Sequence, residues 1–280
     1  MRAHKFGRTN VEVPVIGQGT WKIDGGEREA SIQALQRGID LGMRHVDTAE
    51  LYGRGRAEDV VAEAIRGRRD EVFLVSKVMP GNASKKGTIA ACERSLRHLQ
   101  TDFLDCYLLH WPGEHPLEET IAAFDSLESS GKIRAWGVSN FDVDELEEAE
   151  SIAGPNRIAC NQVLYHLEER AIEERVLPWC EAHNVAVVGY CPFAEGTFVS
   201  PKSNGGQVLA RIATKHEATT RQVALAYLTR TPHLFTIPKS SSVPHTEDNA
   251  RAGRVELDHK DELALDHAFP MRKRKLLPTV

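Results

Sequence analysis

The sequence predicts a (β/α)8 TIM barrel with a short N-terminal β-hairpin, on three observations. From about residue 15 onward, short apolar runs rich in Val, Ile and Leu alternate with stretches whose apolar positions recur at helical spacing. The short runs are continuously apolar, as strands are when helices cover both faces of a sheet. Eight strand-then-helix repeats in 280 residues favour closure into a barrel over an open sheet. No shift in composition marks a linker, so residues 1–280 read as one barrel domain.

Each element has its own signal. Residues 4–6 and 11–13 flank the polar turn Gly7, Arg8, Thr9, Asn10, which predicts the hairpin. Residues 15–21 read as the first barrel strand, with Gly17 and Gly19 where backbone or ligand comes close. Ile32, Leu35, Ile39 and Met43 keep helical spacing across 27–43, and Gly42 lies near the stop. Strands at 44–48, 72–78, 103–109, 133–138 and 158–163 are followed in turn by helices at 57–66, 88–99, 117–129, 143–152 and 171–183. Strand 185–190 leads into a long polar loop at 194–206 and helical material at 207–230, and strand 234–238 precedes helix 245–252. Leu263, Leu265 and Phe269 give 260–269 the pattern of an extra helix.

Composition narrows the function classes. A net charge of -5 argues against nucleic acid as a bulk electrostatic partner. The basic run 272–275 reads as a solvated tail. Cys92, Cys106, Cys160, Cys180 and Cys191 are scattered with no C-x-x-C, the pattern of a reducing compartment rather than of disulfides or zinc. No histidine shows ligand spacing, so no metal is expected. No apolar run is long enough to span a membrane and no leader-like segment opens the chain, which makes a cytoplasmic monomer the expectation.

In such a barrel the strand C-termini carry the active face. Asp47, Lys77 and His110 each stand at such an end, and Tyr52 follows Asp47 in a loop. Trp21, Trp111, Ser139, Asn140, Gln162, Tyr190, Lys239 and Ser240 fall at the same level. An ammonium beside a phenol favours the phenolate, which predicts a Tyr52 pKa drawn down toward the working range. Asp47 would keep Lys77 charged, and His110 could donate a hydrogen bond to a substrate carbonyl oxygen. These groups supply a proton and no electrons, so carbonyl reduction needs a hydride donor.

Asp47, Tyr52, Lys77 and His110, together with Gly17 to Trp21, Asp47 to Ala49, Trp136 to Asn140 and Ile237 to Ser240, resemble the aldo-keto reductase superfamily over about residues 5–270. The resemblance implies reduction of small aldehydes or ketones by NADPH, with Tyr52 as proton donor, Lys77 and Asp47 as its tuners and His110 as the orienting group. It implies that Ser139, Asn140 and Gln162 hold the nicotinamide carboxamide and that Tyr190 stacks on the ring. Gly19, Thr20, Trp21 and Asp47 line the nicotinamide end. Lys239, Ser240 and His245 grip the adenosine 2′-phosphate, and Asn249 touches adenine. Trp21 and Trp111 wall the substrate pocket. His245 stands where many relatives have arginine, so NADH is a second candidate cofactor. No G-x-G-x-x-G follows a strand, so the dinucleotide site is not a Rossmann one. The tail after Phe269 is short, which implies a shallow cleft for small carbonyl compounds. Two rival readings are a Schiff-base lyase with Lys77 as nucleophile and a non-catalytic NADPH-binding redox sensor.

Overall fold

The hairpin pairs β1 (Ala3–Lys5) with β2 (Glu12–Pro14), His4 opposite Val13, across a 3-10 turn at Gly7–Thr9. Eight strands then run parallel: β3 (Gln18–Gly19), β4 (His45–Asp47), β5 (Phe73–Val78), β6 (Cys106–Leu109), β7 (Trp136–Ser139), β8 (Cys160–Leu164), β9 (Ala186–Tyr190) and β10 (Leu234–Thr236). Strands consecutive in sequence are neighbours in the sheet. The sheet returns on itself where Gly17 N donates to Thr236 O and Thr236 N to Val15 O, both at 2.8 Å. This is the computed structural model of the chain, and it describes residues 1–272, 274 and 276–279.

Helices α1 (Arg28–Asp40), α2 (Arg56–Ala64), α3 (Lys85–Leu99), α4 (Leu117–Ser129), α5 (Val143–Ala153) and α6 (Val176–Ala182) fill the crossovers from β3 through β9. Two helices, α7 (Asn204–Lys215) and α8 (Thr220–Leu228), lie between β9 and β10, and α9 (Val243–Arg251) and α10 (His259–Ala268) follow. The core is double. An outer layer packs strand residues such as Val46, Leu74, Val78, Tyr107 and Leu109 against the helices. An inner layer fills the barrel with Phe73, Val75, Cys106, Leu108, Cys160, Val188 and Phe235, and Phe6 and Val13 of the hairpin close its lower end.

The two-residue side-chain period puts the functional groups in place. On β5, Phe73 and Val75 point inward, so Lys77 does too; on β6, Cys106 and Leu108 are followed by His110; on β4, His45 precedes Asp47. Each of these strands is apolar at its lower inward positions or ring-packed there, and polar only at its upper end. His45 is the exception, fully buried between the rings of Phe6 and Phe73.

Several boundaries differ from the sequence expectation. The first strand is only Gln18–Gly19, with Trp21 already in a turn. A Cβ at Gly19 would sit 2.6 Å from Ile237 O, so the backbones approach too closely for a side chain there. The stretch 171–183 is a 3-10 turn at Ala171–Glu173 followed by α6, because Arg175 leaves helical geometry at φ -132°. The stretch 207–230 is two helices, broken by Glu217 at φ +49° and restarted by the Thr219–Gln222 capping box. The loop predicted at 194–206 opens with a 3-10 turn at Ala194–Gly196 and ends where Ser203 caps α7. The basic tail is not wholly solvated: Arg274 pairs with Glu169 at 2.7 Å. Lys273 and Lys275 lie outside the described residues.

Candidate active site

Lys77 is the centre of the site. Its ammonium has three hydrogens, and all three have acceptors: Asp47 Oδ1 at 2.7 Å, the Thr48 carbonyl at 2.8 Å and the Tyr52 hydroxyl at 3.3 Å. The side chain is completely buried. Burial disfavours its charge, but Asp47 and Tyr52 outweigh that and hold its pKa above the usual lysine value. Burial likewise pushes the Asp47 carboxyl up, while Lys77 and a 2.8 Å bond from Gln162 Nε2 to Oδ2 pull it back. A carboxylate held 2.7 Å from an ammonium, with a second donor on its other oxygen, is an ionised pair.

Tyr52 corrects one expectation. Its pKa is raised, not lowered: burial dominates, and the lowering by Lys77 is the smaller effect. The phenol therefore stays protonated. Since Lys77 donates to its oxygen, its own hydrogen is left to another acceptor. The loop that presents it turns sharply, with Gly53, Arg54 and Gly55 all at positive φ. At Gly53, φ is +59° and a Cβ would crowd the Asp24 carboxylate at 2.1 Å, a position where glycine carries no strain.

His110 stands edge-on to Tyr52, ring centroids 5.7 Å apart, and tilted on Trp111 at 4.8 Å. Burial, with Lys77 nearby, pushes its imidazole down to about 2, so the ring is neutral. Its Nδ1 is buried without a hydrogen-bond partner among the described residues.

A cavity of about 280 Å³ opens above these groups. Its lining includes Tyr52, His110, Trp21, Trp111 and Leu51, the amide and hydroxyl groups of Ser139, Asn140, Gln162 and Tyr190, and Gly19, Thr20 and Asp47. A second cavity of about 500 Å³ shares Trp21, Cys191, Pro192 and Lys239 with the first and continues to His245 and Asn249. Two joined cavities, one with amide and aromatic walls and one where Lys22, Arg221 and Lys239 stand beside Glu195 and Asp248, suit an elongated ligand with a flat amide-bearing ring and a phosphate. Lys239 supports the second half of that reading. Burial lowers its pKa, and among the described residues it has no ion pair, only a 2.6 Å bond to Ser241 Oγ. An exposed ammonium at the edge of both cavities, with no carboxylate paired to it among the described residues, is a place for an external anion. The structure thus brings together every predicted site residue except Ser240, which lines neither cavity; its hydroxyl is held by the Ser242 backbone.

A sequence profile of the aldo/keto reductase family matches residues 15–268. The chain belongs to the aldo/keto reductase family. Methylglyoxal reductase YeaE of Escherichia coli (strain K12) is 44% identical over 268 residues, covering 95% of this chain and 94% of that protein. Glyoxal reductase of Bacillus subtilis (strain 168) is 32% identical, covering 91% and 89%. An aldo/keto reductase of Klebsiella pneumoniae, solved with NADP and acetate, superposes with a TM-score of 0.93 at 43% identity, covering 100% of this chain and 99% of that one.

Within this aldo/keto reductase fold, sequence reasoning missed some cavity walls. Leu51, Pro192 and Ile237 line the first cavity, and Arg221 and Asp248 the second. Arg221 lies at the start of α8, its guanidinium over the Phe198 ring at 4.9 Å. The capping box at Thr219 is a readable signal for that helix start, which the reading of 207–230 as undivided helical material does not use. Glu50, three positions from Asp47, is no catalytic partner to it. One oxygen accepts from Met79 N and Asn82 Nδ2, and the other pairs with Arg94.

Proposed function

We propose that this protein reduces small aldehydes or ketones to alcohols with NADPH, Tyr52 acting as the general acid. The observation that carries the reading is the Asp47–Lys77–Tyr52 chain, at 2.7 and 3.3 Å, ending at the base of an aromatic-walled cavity. Tyr52 would give its proton to the substrate oxygen as that oxygen gains negative charge. The adjacent ammonium stabilises the phenolate left behind, in a buried setting where its charge acts strongly. Asp47 keeps Lys77 charged and in place. A buried Nδ1 with no acceptor is best left unprotonated, which puts the His110 hydrogen on Nε2, where it can donate to the same oxygen.

NADPH would supply the hydride. Ser139, Asn140, Gln162 and Tyr190 would hold its nicotinamide end, Lys239 and His245 its 2′-phosphate, and Asn249 its adenine; Ser240 would contribute only by backbone. Trp21 and Trp111 would hold a small substrate, and dicarbonyls such as methylglyoxal are the first to try, given the activities named for the relatives. NADH remains a second candidate because an imidazole at His245 lacks the bidentate fork with which an arginine would grip the 2′-phosphate. The lyase alternative is disfavoured by Lys77 itself: an ammonium with all three hydrogens engaged offers no lone pair for an imine.

The test is NADPH oxidation by the purified protein across a panel of small aldehydes, with NADH in parallel. Tyr52→Phe should lower kcat by roughly 10²-fold or more, the usual worth of a placed acid, with NADPH affinity little changed. Turnover undiminished in that variant removes Tyr52 as the acid. Tight NADPH binding with no turnover on any carbonyl would favour a sensor.

A further inference from the structure

The His110 imidazole has no side-chain hydrogen bond to orient it. Nδ1 is buried and without a partner among the described residues, and the ring contacts are aromatic edges of Tyr52 and Trp111. Besides those ring contacts, its direction is set by its backbone. On the amide side, His110 N donates to Val78 O at 3.0 Å, continuing the sheet. On the carbonyl side the ladder has ended, and His110 O instead accepts from Asn140 Nδ2 at 3.2 Å. A carbonyl can only accept, so the Asn140 NH2 must face it and Oδ1 must face the other way. There Oδ1 accepts from the Tyr190 hydroxyl at 2.9 Å. Asn140 reaches both only because it sits at φ +61°, a left-handed turn at the end of β7.

We propose that the Tyr190 hydroxyl is a positioning group for His110, acting through the Asn140 amide. The aromatic ring of Tyr190 is a wall of the cavity, and its hydroxyl is a separate device. It anchors the Oδ1 end of an amide whose Nδ2 end is held by His110 O and by Ser139 Oγ, both at 3.2 Å, and the amide in turn steadies the peptide that aims the imidazole. The chain runs from β9 through the end of β7 to the end of β6, so one hydroxyl couples side chains from three strands that line the cavity. The inference rests on the carbonyl-reductase reading above.

Tyr190→Phe keeps the ring and removes the hydroxyl. A lost buried hydrogen bond that acts on geometry should lower kcat about five- to tenfold. NADPH affinity, measured by protein fluorescence quenching, should stay within about threefold, and the melting temperature within about 3 °C. The decisive comparison is the same substitution in a His110→Ala background, with hydride transfer followed in single turnover. There Tyr190→Phe should have no further effect, because the group it positions is gone. An equal loss in both backgrounds would mean the hydroxyl acts independently of His110, and an unchanged kcat in the single variant would mean it positions nothing. Weakened NADPH binding with unchanged kcat would place its role in the cofactor platform instead. A wild-type protein that oxidises NADPH with no carbonyl compound sinks the reductase reading and this inference with it, whereas wild-type turnover indifferent to Tyr190→Phe sinks only the coupling.

Discussion

Replacing Lys77 by methionine isolates the group on which the site is built. Methionine keeps most of the stem volume and removes the ammonium, leaving Asp47 fully buried with a single donor, Gln162 Nε2 at 2.8 Å. Breaking a buried pair from one side costs about 3–5 kcal/mol, because the remaining charge is uncompensated. The loss should depend on pH in a definite direction. Burial already raises the Asp47 pKa with Lys77 present, and removing Lys77 takes away the main opposing influence. In Lys77→Met the folded-state pKa of Asp47 therefore lies further above its unfolded value. A group raised in the folded state contributes stability below its unfolded pKa and loses it as pH rises through the folded one. The gap between wild type and Lys77→Met should thus widen from about pH 5 to about pH 8. Urea unfolding at several pH values measures it, and a constant m-value shows that the denatured state is not the cause. The double variant Asp47→Asn/Lys77→Met should recover most of the loss, since a neutral amide replaces the stranded charge. A deficit under about 1 kcal/mol at pH 8, or a double variant no more stable than the single, would falsify the view of Asp47 and Lys77 as a mutually compensated buried pair.

Two further outcomes follow from other groups. Lys239→Met should raise KM for NADPH about tenfold or more, the worth of a charge-assisted hydrogen bond, and leave KM for NADH nearly unchanged; equal effects on both cofactors would remove Lys239 from the phosphate. His45 is fully buried with neither ring nitrogen hydrogen-bonded among the described residues, and burial pushes its pKa down to about 3. A depressed pKa means that stability present above the unfolded value near 6.5 is lost as pH falls toward about 3. His45→Leu should therefore stabilise the barrel by about 1–2 kcal/mol at neutral pH and flatten that acid limb; an unchanged slope in urea unfolding between those pH values would place the acid sensitivity elsewhere.

The strand–helix alternation, the apolar strands and the polar residues closing them determined the barrel and which polar side chains stand at its strand ends. The reason is that strand direction and the two-residue side-chain period are local properties. Once β5 carries Phe73 and Val75 inward, Lys77 has no other side to face. What only the tertiary structure decided are balances between distant groups. A neighbouring ammonium argues for a lowered Tyr52 pKa, but the depth of burial reverses the sign, and depth is set by helices and loops far along the chain. The Ser240 hydroxyl turned to its own backbone and the break at Glu217 were likewise decided by packing and backbone geometry. The same holds for the Tyr190–Asn140–His110 chain. Three residues up to 80 positions apart meet there only because β6, β7, β8 and β9 lie side by side.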